Sequence, residues 1–434
     1  MNIKPFKAYR FNPDVVGDVG ACIAPPYDVI DEAGQQSLYQ RNDHNMVRII
    51  RGETFATDTP QNNQYTRAAE CLNAWISKQA LRQDPQERIY GYVQNFSLGT
   101  ASFERFSFIA LAQLEDFGPV VKPHEQILTK PMEDRLNLKR ATGARFGLVF
   151  MLYEDPLNVA EQIIKKVMKV EALIDFTDDQ GVRHRLFGID QEADQNKIVK
   201  MMSSRSCIIA DGHHRYTTGL ALRRENPAAQ YQMIAFANGH QEGLLILATH
   251  RVIHGLTSFN GPALIEGLKQ HFTIDRYTFN DDESKGEAKE AMLSQMRAMF
   301  EHHQSATGIY WGGQAFYVAT LTQPKAMDEM VPNMSPAWRA LDVAILHKLI
   351  LEKQLGINED KLAGGELVSY IKDTPMAIDD CIAQVDAGRQ QAAFFTNPVT
   401  IAQLVAVTDA GERMPQKSTF FYPKMFTGLT IQKL

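Results

Sequence analysis

Residues 206–216 read SCIIADGHHRY, and the rest of the sequence is best interpreted outward from them. The apolar run at 206–210 predicts a short buried strand. Asp211 and Gly212 then turn tightly into a helical pattern ending on Arg223 and Arg224, a basic pair that suits the negative end of a helix. A strand, a glycine loop and a helix start are what phosphate binding needs. Backbone N–H groups and the positive helix end converge there, and Gly212 lets an anion approach the main chain. Arg215 can add a bidentate contact. His213 or His214 can donate to a phosphoryl oxygen or shuttle a proton. The plainer alternative is that Asp211 caps the helix and the histidines are surface residues. Zinc is a weaker reading, because adjacent histidines do not share a helix face.

Four other stretches carry chemistry-bearing side chains. Lys122, His124 and Glu125 precede Lys130, Glu133, Asp134, Arg135 and Arg145 in a polar, proline-punctuated region, 116–145, expected to be a solvated loop or the wall of a site. A His-Glu step among cations can supply a general base and neutralise phosphates. It is no zincin motif, since Leu128 stands four residues after His124. The double proline of APPYDV, 24–29, can aim Tyr27 and Asp28, or simply make a turn. Close by, MVRIIRGE, 46–53, looks strand-like. Lys417 and Ser418 in MPQKSTFFYPK, 414–424, lack the glycines of a Walker A loop, so a P-loop is rejected, though they can still reach a ligand. His250 and Arg251 are expected to close the strand GLLILATHRVI, 243–253, where α/β proteins often place ligands.

The 434 residues include 45 Lys and Arg against 51 Asp and Glu, a net charge of -6, which argues against a generic nucleic-acid binder. Apolar residues at 44% and charged residues at 22% describe an ordinary globular chain. No apolar run is long enough for a membrane span, and MNIKPFKAYRF has no signal-peptide core, so the expected location is cytoplasmic. The four cysteines are far apart, with no CxxC pair, and read as reduced thiols. Helices are expected over 65–79, 157–169 and 341–355, and strands over 88–94, 103–114, 147–153 and 308–321, with a strand-helix unit at 392–407 and an acidic surface segment at 280–289. The fold class is therefore mixed α+β. The expected division is 1–255 and 256–434, the second half mixed α/β.

Together, APPYDVI, KPHEQILTKPMEDRL, TGARFG, IADGHHRY, GLLILATHRVI, LDVAILHKLIL and GERMPQKSTFFYPK resemble the blocks of one large uncharacterised bacterial and archaeal family carried under a domain-of-unknown-function name. More distantly, IADGHHRYTTGLAL is similar to the nucleotide-binding signature of the ParB/sulfiredoxin superfamily, which includes the free L-serine kinases of archaea. That resemblance implies a ParB/sulfiredoxin-like nucleotide-binding core, with Gly212, His213, His214 and Arg215 on phosphate and Asp211 orienting the loop or a Mg²⁺ ion. His213 stands where sulfiredoxins carry a reactive cysteine.

The leading expectation is a phosphotransferase acting on a small hydroxyl metabolite, serine first, with ATP, ADP or diphosphate as donor and Mg²⁺ bridging the phosphates. Glu125 is the expected base, with Asp28 and Asp134 as further carboxylate candidates, and His124, Lys122 and Arg135 line the acceptor side. No transition metal and no nucleic acid are expected, and a homodimer is compatible with the sequence. The competing readings are a non-enzymatic nucleotide sensor and a metal-dependent hydrolase using the histidines.

Overall fold

In the computed structural model, which describes residues 1–125 and 129–434, the apolar run around Ile209 is the strand Cys207–Asp211, and the pattern after it is the helix His213–Glu225. The strand lies second from the edge of a nine-stranded sheet ordered Val121–Pro123, Cys207–Asp211, Val149–Tyr153, Tyr231–Asn238, Ala101–Gln113, Ile89–Leu98, Arg183–Ile189, Ile174–Thr177. Ile3–Lys4 adds to the side of Ala101–Gln113. Cys207–Asp211 is parallel to Val121–Pro123 and antiparallel to Val149–Tyr153. Ile89–Leu98 and Ala101–Gln113 form a hairpin across Gly99 and Thr100, and Gly99 takes the positive φ, 58°, that a two-residue turn demands.

Val149–Tyr153, VFMLY, is buried throughout, as a strand covered on both faces must be. In the core, Phe108 stacks on Phe236 with ring centroids 5.0 Å apart and meets Tyr153 edge-on. Ile163 and Ile164 of the helix Val159–Val167 join this core. A second core gathers Leu72, Trp75, Leu138, Phe146 and Ile431.

The chain forms two compact units. The first holds Met1–Pro123, 129–245 and Pro423–Leu434, and the second holds His124 and Glu125 with Ile246–Tyr422. The second unit has its own six-stranded sheet, in which every neighbouring pair is antiparallel, ordered Phe272–Thr278, Ala315–Leu321, Ala306–Tyr310, Ala392–Thr396, Thr249–Ile253, Val368–Lys372. Met292 and Met296 of the helix Asp282–Glu301 pack into its core with Phe316 and Phe395. Helices with one mixed and one antiparallel sheet make the fold α+β, as expected. No helix among the described residues is long and apolar enough to cross a membrane.

Three expectations are corrected. The strand-like 46–53 is a one-turn helix, Val47–Ile50. Its start is held by Asn45, whose carboxamide oxygen accepts from the Val47 amide while its NH2 donates to the Ala21 carbonyl. That local bonding outweighs β propensity. The polar region 116–145 holds the helix Thr129–Thr142, not a loop, and the side chains of Arg135 and Lys139 point inward to backbone carbonyls. Polarity there records an interior of buried cations. Finally, His250 and Arg251 do not close a long strand. They sit inside Thr249–Ile253, Arg251 paired on both sides and His250 on one, with both side chains buried.

Ile209 is fully buried in the strand that delivers Asp211. Ile209→Ala is expected to cost about 2–5 kcal/mol, read as a lower urea midpoint at unchanged slope. A cost within about 0.5 kcal/mol, typical of surface changes, would contradict this packing.

Candidate functional site

The register of Cys207–Asp211 against Val149–Tyr153 shifts between Ile209 and Asp211. Such an irregularity re-aims the side chain that follows. Gly212 then adopts φ 89° and ψ 30° and begins the helix His213–Glu225 without a side-chain cap. A Cβ on Gly212 would lie 3.0 Å from Arg215 Nε and 3.3 Å from Val149 Cα, so both conformation and space call for glycine. Asp211 is not the helix cap. Its Oδ2 accepts from Lys424 Nζ at 2.6 Å, and its Oδ1 accepts from an Arg215 terminal nitrogen at 3.2 Å. Burial alone would raise the Asp211 carboxyl, but Lys424, Arg215 and His213 beside it hold it well below the usual carboxylate range.

Arg215 is buried and also donates to the Leu148 carbonyl. A Cβ on Gly147 would stand 3.3 Å from Arg215 Cδ, so this glycine admits the guanidinium. Three more cations border the same space. Lys139 Nζ donates to the Arg215 carbonyl and to Thr218 Oγ1, each at 2.7 Å. Its ammonium is held well below the ordinary value, first by burial and then by Arg145, Arg215 and Arg135. Arg145 is 1% exposed and donates to the Ala229 carbonyl at 3.1 Å and to Gln432 Oε1 at 3.2 Å, while its Nε has no hydrogen-bond partner among the described residues. Burial brings its pKa down to about 10. Arg135 donates to the Ile50 carbonyl at 2.7 Å and to Asp134 at 2.6 Å, and its guanidinium lies 4.0 Å from the ring centre of Tyr27. Tyr65 donates to the other oxygen of Asp134 at 2.9 Å.

Arg135, Lys139, Arg145, Arg215 and Tyr27 line one cavity of about 40 Å³. It has room for a few waters or one small oxyanion, and none for a nucleoside. Among the described residues, neither Lys139 nor Arg145 has a carboxylate partner. A preorganised anion site presents such a surplus of directed donors.

Of the residues singled out in the sequence, Tyr27, Asp134, Arg135, Arg145, Asp211, Gly212 and Arg215 come together in this unit. Asp28 is exposed in the one-turn helix that carries Tyr27, and Lys122 lies opposite Ile208 in the sheet. His213 and His214 open the helix His213–Glu225 of the same unit, which also holds Glu133. The second unit holds His124, Glu125, His250, Arg251, Lys417 and Ser418. His124 Nε2 shares a hydrogen with Thr419 Oγ1 at 2.8 Å, and its carbonyl accepts from the Met414 amide. Glu125 is half-buried. The Ser418 hydroxyl donates to the Pro415 carbonyl, and the Lys417 carbonyl accepts from Arg251. His250 faces Asp373 across 3.3 Å. Lys139, Gly147 and Lys424 were missed. Lys139 sits in a charge-rich stretch with nothing to mark an inward direction, and Lys424 is more than two hundred residues from its partner Asp211.

As a Mg²⁺ ligand Asp211 does not fit, because both of its oxygens are already taken by cations. Among the described residues, no three His, Cys, Asp or Glu side chains form a group able to hold a metal.

Residues 3–344 match the family model described as protein of unknown function (DUF1015). No curated protein matches the sequence. Among solved structures, the chain is similar to a free serine kinase mutant in complex with AMP, at 14% identity over 72% of this chain and 87% of that one, with a TM-score of 0.36. It is also similar to a conserved hypothetical protein from Pyrococcus furiosus, at 14% identity over 75% and 94%, TM-score 0.35. A third is SbnI with a C-terminal truncation from Staphylococcus aureus, at 12% identity over 73% and 84%, TM-score 0.33. No residue role is carried over from these distant likenesses.

The folded Asp211 carboxyl titrates below its unfolded value. Its ion pairs therefore add stability that is complete above the ordinary carboxylate pKa, about 3.9, and is lost as pH falls through the lower folded value. Asp211→Asn is expected to lower stability at neutral pH and to flatten the acid limb of a stability–pH profile. An unchanged acid limb would show that the carboxyl is not held low.

Proposed function

We propose, for a chain that belongs to the DUF1015 family of proteins of unknown function, that its first unit recognises the phosphate of a nucleotide, and that the protein transfers a phosphoryl group to the hydroxyl of a small metabolite, serine being the first acceptor to test. The observation that carries the phosphate reading is the ring of four basic side chains, two without carboxylate partners among the described residues, around one small cavity. A buried unpaired charge costs several kcal/mol, on the order of 3–5 when its partner is removed. A bound oxyanion offsets that cost. The acceptor class comes from the likeness of 209–216 to the free L-serine kinases. ATP, ADP and diphosphate are the donors to compare, each supplied as its magnesium complex.

In the step, the acceptor hydroxyl oxygen bonds to the terminal phosphorus, the bond from phosphorus to the leaving phosphate oxygen breaks, and the hydroxyl proton passes to a carboxylate. Arg215 and its neighbouring cations hold the phosphate and meet its charge as it shifts to the leaving oxygen. Asp28 and Asp134, of the same unit, are the carboxylates to compare as base.

A second reading is a non-enzymatic sensor of phosphate or nucleotide, favoured by the small size of the cavity. It needs the cations and no base.

Two measurements test these readings. First, inorganic phosphate is expected to raise the melting temperature of the protein, and Lys139→Met to abolish that rise. Without phosphate, depression of the Lys139 pKa means that the unfolded chain binds its proton more tightly. Stability should then rise with pH in the window between the depressed value and about 10, and Lys139→Met should remove that rise. Second, phosphorus NMR with each donor and serine is expected to show a new phosphomonoester. Arg215→Ala should weaken donor binding about 10–100-fold, the value of a charged hydrogen bond. Removal of the true base, Asp28→Asn or Asp134→Asn, should abolish turnover with donor binding retained. Donor binding without a monoester across a panel of hydroxyl acceptors would leave the sensor; no phosphate binding would sink both.

A further inference from the structure

The sequence over 341–355 predicts one strong helix, yet the second unit builds it in three pieces: α-helix Asp342–Ile345, π-helix Leu346–Glu352 and α-helix Lys353–Leu355. A π segment is a rare arrangement that occurs mostly where a function needs its side chains re-aimed. His347 and Lys348 lie in it. His347 is 4% exposed, and Arg251 Nε donates to its Nε2 at 3.2 Å, which puts the ring proton on Nδ1. Burial, followed by the charges of Arg251 and Lys348, holds this imidazole well below its ordinary pKa, so it is neutral. Among the described residues nothing accepts from the Nδ1–H, and His347 lines a cavity of about 210 Å³.

Arg251, behind His347, is 1% exposed and donates to the carbonyls of Thr249, Gln416 and Lys417, with no carboxylate partner among the described residues. Lys348 is clamped between Glu352 at 2.9 Å and Glu359 at 2.8 Å. Trp338 donates its indole N–H to the Arg413 carbonyl at 3.0 Å, which fixes the ring against the stretch that forms the opposite wall. Met334 and Met414 extend the apolar lining. The Arg413 side chain is exposed at the rim, without an acidic partner among the described residues. Arg251, Lys348 and Arg413 against Glu352 and Glu359 leave one positive charge over.

We propose that this cavity binds a small organic carboxylate with an apolar or aromatic body. The carboxylate accepts from His347 Nδ1–H and from Arg413, and the body rests on Trp338 and Met414. A mostly apolar pocket with a few convergent polar groups is the usual form of a small-molecule site. The single surplus charge and the nearby Glu359 suit a monoanion and disfavour a phosphate ester. The inference is independent of the phosphate reading, which concerns residues of the other unit.

The full-length protein is titrated with phenylacetate, indole-3-acetate and hexanoate, and with benzyl alcohol as the uncharged comparison, using saturation-transfer NMR and tryptophan fluorescence. At least one carboxylate is expected to bind saturably, about tenfold or more tighter than the alcohol, the worth of one charged hydrogen bond. Arg413→Ala and His347→Gln should each weaken it about tenfold. Trp338→Phe should remove the fluorescence response while the NMR signal persists. Arg413 is exposed, so its variant is expected to melt like the parent and serves as the folding control for the buried His347. The proposal is overturned if no carboxylate saturates at millimolar concentration, if the alcohol binds equally well, or if affinity is unchanged in the well-folded Arg413→Ala protein.

Discussion

One carboxylate ties a strand and the helix that follows it to a distant third part of the first unit. Asp211 ends a strand, Arg215 lies one helical turn further on, and Lys424 belongs to the returning C-terminal segment, and the two cations meet on the two oxygens of Asp211. At half-buried sites such contacts matter because leaving any of the three groups unpaired in low dielectric is costly. The glycines follow from this constraint. Gly212 lets the chain turn beneath Arg215, and Gly147 leaves room for its side chain.

Around that carboxylate the protein buries more positive than negative charge, and it does so by aiming the cations at backbone oxygens. Lys139, Arg135 and Arg145 each donate to a carbonyl. The same device recurs elsewhere. Arg105, fully buried, donates to Gln94 and to the Pro423 carbonyl, and burial brings its pKa down to about 10. Arg251 uses carbonyls alone, apart from His347. A carbonyl satisfies the hydrogen-bonding geometry of a cation but cannot cancel its charge. A group held this way is firmly positioned and its charge is not cancelled.

How far the site could be read in advance depended on the range of each interaction. Asp211, Gly212 and Arg215 were legible because strand, glycine turn and helix start are local patterns in eleven consecutive residues. Arg135, Arg145 and Tyr27 stand out in the sequence only singly, by charge and proline content, with no sign that they share a cavity. Lys139 and Lys424 were missed, since an inward lysine is indistinguishable in sequence from a solvated one. The helix Thr129–Thr142 was obscured for the same reason: its inward face carries Arg135 and Lys139 beside Leu136 and Leu138, which blurs the apolar stripe that marks a helix.

What the sequence determined by itself was the local order: strands at VFMLY and CIIAD, helices after Gly212 and over Gln64–Ser77, an α+β class, and a glycine turn between strand and helix. These depend on side-chain period and turn chemistry, which act over a few residues. Tertiary structure alone decided which cations face one another, that Asp211 is claimed by Arg215 and Lys424 instead of capping a helix, and that the helix at 341–355 widens to a π turn beneath His347. Those outcomes turn on the direction of long side chains and on low-dielectric pairing between residues far apart in the chain, and neither leaves a periodic trace in the order of amino acids.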